Sequence, residues 1–211
     1  MKARAIARFA FDCALALACL MAILAWPLRY LRRKAPGGRL NSLWAGTPII
    51  NMATNARAER LLGVNARSLV YTTYFITDAF DYDLSRWTRI PLLGRAVPLL
   101  VFIWACYFAD RLHFYCDRGI LPSRGHFGFD YVELYVYRIL GIPVFLWTYG
   151  ADIRNERTCR EMGEPNCCTN CDRPGVYCVC DQTVAFRKMA RLKSLSVAIF
   201  AGIGDMFGYT P

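Results

Sequence analysis

The chain has 211 residues, 55% hydrophobic and 14% aromatic, with a formal net charge of +10. That length fits one large domain, and the apolar share is ample for a core and high for a purely soluble protein. The positive charge invites a nucleic-acid partner, but its placement excludes one: residues 1–39 carry eight basic side chains against Asp12, a balance of +7, and the other 172 residues carry +3. An excess that flanks a hydrophobic segment, without forming a patch on the globular part, points to a membrane surface.

That segment is Cys13–Leu28, sixteen residues without a charge, which reaches back to Phe9 if Asp12 is tolerated. About twenty residues cross a bilayer core, so its length is borderline. Arg29-Tyr30-Leu31-Arg32-Arg33-Lys34 follows at once with no small-residue cleavage site between, so a retained anchor is expected in preference to a cleavable signal peptide. The anchor is read as a short spanning helix or a re-entrant one broken at Pro27. Basic residues are denser on its carboxyl side, which places the main domain at the cytoplasmic face of the membrane, anchored or peripheral. Ala35-Pro36-Gly37-Gly38 reads as a linker, dividing an anchor of residues 1–39 from a folded domain of residues 40–211.

Within the domain, Thr47–Asn51 reads as a first strand, Asn55–Leu62 as a helix ended by Gly63, and Leu69–Phe75 as a second strand. Asp78–Arg89 reads as a surface loop. Val97–Phe108 is a helix with Pro98 near its start, apolar on every side and too short to span, so it should be buried or lie against the bilayer surface. Leu112–Tyr115 is a third strand, and His113 within it reads as a core residue. The loop Asp117–Gly128 contributes His126 as a candidate substrate-binding residue. Asp130–Leu140 is a helix whose Asp130 and Glu133 resemble a capping box.

Pro143 then introduces Val144–Tyr149, a continuous apolar run that suits a strand covered on both faces. It ends in Gly150-Ala151-Asp152, and ligands of open α/β sheets bind beyond such carboxyl ends. Gly150 allows close approach there, and Asp152 and Arg154 are expected at the rim with opposite charges. Gln182–Lys193 forms a helix behind Asp181, with Ala185, Met189 and Leu192 inward and Arg187, Lys188, Arg191 and Lys193 on a solvated face. Leu195–Phe200 is the last strand. Alternating strands and helices give an α/β class, a Rossmann-like parallel sheet with helices on both faces.

Ten cysteines remain, six of them between Cys159 and Cys180. Four read Cys168-x2-Cys171-x6-Cys178-x-Cys180, two close pairs around the turn-forming Asp172-Arg173-Pro174-Gly175, a spacing that brings four thiolates round a tetrahedral ion. A structural zinc is the expected occupant. Disulfides fit less well, because Cys-x-Cys neighbours are strained as a pair and the anchor argues for a reducing compartment; free thiols and an iron–sulfur cluster also stay open. Cys159 and Cys167 are substitutes for one of the four.

Ala-Gly-Thr-Pro-Ile-Ile-Asn-Met-Ala (45–53), Ala-Glu-Arg-Leu-Leu-Gly-Val-Asn-Ala (58–66), His-Phe-Tyr (113–115) and Gly-Ala-Asp-Ile-Arg (150–154) together resemble the amino-terminal half of bacterial GT-B glycosyltransferases of the family-4-like set. The cysteine loop and the closing Gly-Asp-Met-x-x-Tyr-Thr-Pro look like one subgroup of it, and the resemblance runs from Leu43 to Pro211. It implies one half of a GT-B fold that binds a glycan or lipid-linked acceptor, with Gly46 and Thr47 near the sugar-nucleotide diphosphate and Gly150, Asp152 and Arg154 lining the cleft, Asp152 and Arg154 as the catalytic candidates. The family's His before the Gly-Ala-Asp turn is replaced by Thr148-Tyr149. The half that binds the nucleotide-sugar donor is expected elsewhere, in a longer gene or a separate subunit, so transfer by this polypeptide alone is not expected. The alternative is a non-catalytic, membrane-anchored zinc protein that recruits a partner. A dinucleotide enzyme is discounted, since Gly46-Thr47-Pro48 is not Gly-x-Gly-x-x-Gly.

Overall fold

The computed structural model describes residues 2–34, 38–74, 77–91, 93–123, 129–176, 178–202 and 204–209. Six parallel strands form one sheet: β1 (Asn41–Gly46), β2 (Asn65–Val70), β3 (Tyr82–Asp83), β4 (Arg111–Tyr115), β5 (Val144–Trp147) and β6 (Ala198–Phe200), in the order β3-β2-β1-β4-β5-β6. The helices are α1 (Lys2–Leu24), α2 (Trp26–Lys34), α3 (Ile50–Leu61), α4 (Ser85–Thr88), α5 (Leu93–Phe108), α6 (Tyr131–Ile139), α7 (Glu156–Glu161) and α8 (Gln182–Leu195), with a 3₁₀ turn at Gly204–Tyr209. The expected α/β class holds, with helices on both faces. On one face Phe102 of α5, Leu134 and Tyr137 of α6 and Met189 of α8 pack on Leu43, Leu112, Phe114, Val144 and Leu146 of the strands. On the other, Met52 and Ala56 of α3 pack on Trp44, Ala66, Val70 and Tyr115. His113 is a core residue as expected, stacked on Trp44 at 4.1 Å between centroids. Its Nδ1 accepts a hydrogen bond from Trp147 Nε1, and burial holds its pKa down at about 3, so the ring is neutral.

Several elements begin earlier than the sequence suggests. The first strand is Asn41–Gly46, not Thr47–Asn51; its polar opening, Asn41-Ser42, hides a segment buried on both sides. Pro48 cannot donate to a ladder, and Ile50 onward buries Met52, Ala53 and Ala56 as a helix. β2 likewise opens on polar residues, and Asn65 Nδ2 donates to Asn41 Oδ1 across the pair at 2.6 Å. The expected strand end at Phe75 lies outside the described residues. Asp78–Arg89 is more than a loop: the Asp81 carboxylate accepts from Ser68 N, Ser68 Oγ and Arg60, which lays Tyr82–Asp83 on the sheet edge. The capping box at α6 is not formed as expected. Asp130 caps Val132 N at 3.1 Å, but Glu133 turns into the core, where its Oε2 accepts from Ile120 N, Leu121 N and Tyr137 Oη.

The amino-terminal helix is the other departure. Among the described residues one helix, Arg8–Lys34, 27 residues, is long and apolar enough to cross a membrane. Pro27 does not reverse it: a single turn at Ala25 relaxes the ladder, and Arg29 N still donates to Ala25 O at 3.1 Å. The helix also rests on the domain. Leu15, Ala18 and Ala22 are buried in the core cluster that contains α5 and α6, and α1 packs on both. Arg29 donates to Ala109 O (3.3 Å) and Leu140 O (2.8 Å), and Arg32 pairs with Asp110 at 2.8 Å.

Candidate functional site

Crossovers on opposite faces leave β1 and β4 as neighbours whose following segments run apart, and this reversal of strand order is where parallel sheets open a crevice. The loops beyond β1, β4 and β5 meet there. Gly46 closes β1 with φ +107°, and a Cβ at that position would stand 2.5 Å from Arg118 O, so this turn accepts only glycine without rearrangement. Thr47 Oγ1 donates to Asp117 Oδ2 at 2.7 Å, and Tyr149 Oη donates to the same oxygen at 2.9 Å. One carboxylate therefore joins three loops. Its second oxygen, Oδ1, is shielded from solvent and has no hydrogen-bond partner among the described residues. A carboxylate oxygen in that state calls for a donor from a ligand or an ordered water. Burial and the neighbouring Asp117 charge push the Tyr149 phenol well above its ordinary value, so it stays a donor.

Asp152 is not at the rim. It is 2% exposed, with Oδ1 accepting from Tyr149 N (3.1 Å) and Gly150 N (2.9 Å) and Oδ2 accepting from Cys116 N (3.3 Å). Burial raises its pKa to about 6 against the pull of those amides. Such a group holds the turn after β5 against the loop after β4; it is poorly placed to touch a substrate. Arg154 lies against Gly150, whose φ is +118° and whose Cβ would stand 3.1 Å from the guanidinium carbon. Lys188, expected on the solvated face of α8, is instead buried and donates to Asp152 O at 2.8 Å. The candidates Gly46, Thr47, Gly150, Asp152 and Arg154 thus gather at the carboxyl ends of β1 and β5, and His126 lies outside the described residues. Asp117 was missed. Its position two residues past β4 is the signal that could have found it, once that strand is paired beside β1.

The cysteine loop gathers a different set from the expected quartet. The thiols of Cys159, Cys167 and Cys168 lie within 4.8 Å of one another and could hold a metal ion, with Cys159 and Cys167 Sγ 3.4 Å apart. Of Cys168, Cys171, Cys178 and Cys180 only Cys168 belongs to this group; Cys180 Sγ accepts from Gly175 N instead. Burial disfavours the Cys159 thiolate, but hydrogen bonds from Cys167, Cys168 and Tyr209 outweigh it and lower its pKa. Burial and that neighbouring sulfur push Cys168 up to about 12. Three thiols this close are a donor set that a divalent ion would bind by displacing their protons. Asn155 caps α7 through Thr158 N and thereby fixes Cys159, which the spacing of the later cysteines did not disclose.

In comparisons with known proteins, no family model, no curated protein and no solved structure matches this chain.

Proposed function

We propose that this domain is the acceptor-binding half of a membrane-associated GT-B glycosyltransferase, and that a donor-binding half carrying the nucleotide sugar completes the crevice. The observation that carries the reading is the Asp117 carboxylate at the strand-order reversal, anchored through one oxygen by Thr47 and Tyr149 with the other unpartnered among the described residues. Two hydrogen bonds fix the group, so its free oxygen is aimed before any ligand arrives, and a sugar hydroxyl is a donor of the right kind. In this reading Asp117 receives the acceptor hydroxyl, Arg154 supplies positive charge near the crevice, and Asp152 and Gly150 hold the turn that presents Tyr149. The motif order from Gly46 to Arg154 supports the same class. Charge stabilisation of the departing diphosphate falls to the donor half, so the domain by itself binds acceptor without turning it over.

The test is ligand-observed NMR of the full chain against lipid-diphosphate-linked sugars and short oligosaccharides. Binding should be lost in Asp117→Ala and retained in Arg86→Ala, a change far from the crevice in sequence. An acceptor panel that gives no binding at all ends the proposal.

The cysteine cluster carries a second, compatible reading. Cys159, Cys167 and Cys168 hold a structural zinc that fixes the loop between α7 and α8. Three sulfurs leave a tetrahedral ion one further position, which a fourth donor must fill for the site to act purely as a brace.

A further inference from the structure

The N-terminal helix is built inside out for a soluble protein. Leu15, Ala18, Ala22 and Arg29 face the domain and are at most 3% exposed. On the opposite side Leu17, Leu20, Leu24, Leu28 and Leu31 recur at helical spacing and are 58%, 52%, 67%, 60% and 65% exposed. One leucine, two alanines and one arginine are turned in, and a row of five leucines is turned out. Packing on the domain explains the first stripe and leaves the second without a reason.

The helix is also fastened along its length. Near its start, Phe11 packs against the core cluster, and Arg8, Phe11 and Asp12 border a cleft of about 330 Å³ with Pro122 and Ser123, which follow β4. Near its end, Arg29 and Arg32 are bonded to Ala109 and Asp110, which precede β4, and to Leu140. The helix therefore runs antiparallel to β4 from the crevice end of the sheet to the opposite end. At a rise of about 1.5 Å per residue, a helix fastened at both ends in this way cannot cross a bilayer unless the domain enters the hydrocarbon with it.

We infer that this helix docks the protein in the plane of a bilayer, leucine stripe down, on a surface containing anionic lipid. The charge pattern fits that occupant, with Lys2, Arg4 and Arg8 at one end and, at the other, Lys34 and a half-exposed Arg33 that also lies 3.4 Å from Asp110. Trp26 and Tyr30, stacked at 5.6 Å and both exposed, are residues that favour the headgroup level. The crevice then opens sideways along the membrane surface. This inference stands independently of the glycosyltransferase reading.

The test places a nitroxide amino acid at Leu17, Leu24 or Leu31 of the full chain, in vesicles of phosphatidylcholine and phosphatidylglycerol, and reads depth by collisional relaxation. In-plane docking gives one shallow depth at all three positions. Depths spread over about 21 Å, the rise of the fourteen residues from Leu17 to Leu31, mean a spanning helix and overturn the inference. Independently, the combined Leu17→Gln, Leu24→Gln, Leu31→Gln variant should lose vesicle flotation with its circular dichroism unchanged. Flotation equal to that of the parent counts against the proposal. So does a parent that is a dimer without lipid and a monomer in the variant, which would make the stripe a contact between copies of this chain.

Discussion

At the scale of single residues, chemistry is concentrated where a carboxylate was buried for a purpose. Glu133 is fully buried, and burial raises its pKa to about 8 although Ile120 N, Leu121 N and Tyr137 Oη all donate to it. Between the ordinary carboxyl pKa and that value the folded chain keeps a proton that the unfolded chain has released, so stability falls as pH rises from about 4.5 to about 8. Glu133→Gln should remove this slope, on the order of 3–5 kcal/mol across the window, as read by thermal unfolding at a series of pH values. The slope left below about pH 6 belongs partly to Asp152, whose raised pKa acts with the same sign. Gly46→Ala should cost at least about 2 kcal/mol, from left-handed backbone strain and overlap with Arg118 O, measured by denaturant unfolding. None of this was legible from residue type. Glu133 sits at a capping-box position, and only its burial shows that it serves the core.

At the scale of elements, hydrophobic runs located the longer helices and the buried strands β4 and β5 well, caught only the end of β2, and missed β1, β3 and the short helices α4 and α7. Strands β1, β2 and β3 open on or contain polar residues whose partners are distant: Asn41 with Asn65, and Ser68 with Asp81. Asp110 performs the same office for the N-terminal helix, joining Arg32 to Asn41 N. Asp110→Ala should free α2, so that trypsin cleaves after Arg32 and Arg33 several times faster than in the parent while α6 and α8 stay protected. Cleavage at the parental rate would mean that Arg29 alone holds the segment.

At the scale of the whole molecule, the cysteine loop and the crevice are two devices sharing one turn, for Arg154 lies against Gly150 and its charge partly offsets the burial and the Cys159 hydrogen bond that raise the Cys167 pKa. Metal analysis of purified protein should find about one zinc per chain. Cys159→Ser should lose most of that metal and Cys178→Ser should keep it, the reverse of what the sequence spacing suggests. If the loop shapes the turn, stripping zinc with a chelator should also weaken acceptor binding without unfolding the sheet, as followed by far-ultraviolet circular dichroism.

The sequence by itself determined the α/β alternation, the apolar N-terminal helix with its basic flanks, and the turn at Gly150, because each is written in local periodicity and local residue chemistry. Tertiary structure alone decided which loops meet. Strand order brings Asp117 between Thr47 and Tyr149, the fold of one loop puts Cys159 beside Cys167 and Cys168, and domain packing turns the leucines of the first helix outward. Contacts between residues far apart in the chain depend on which elements become neighbours, and no local pattern encodes that.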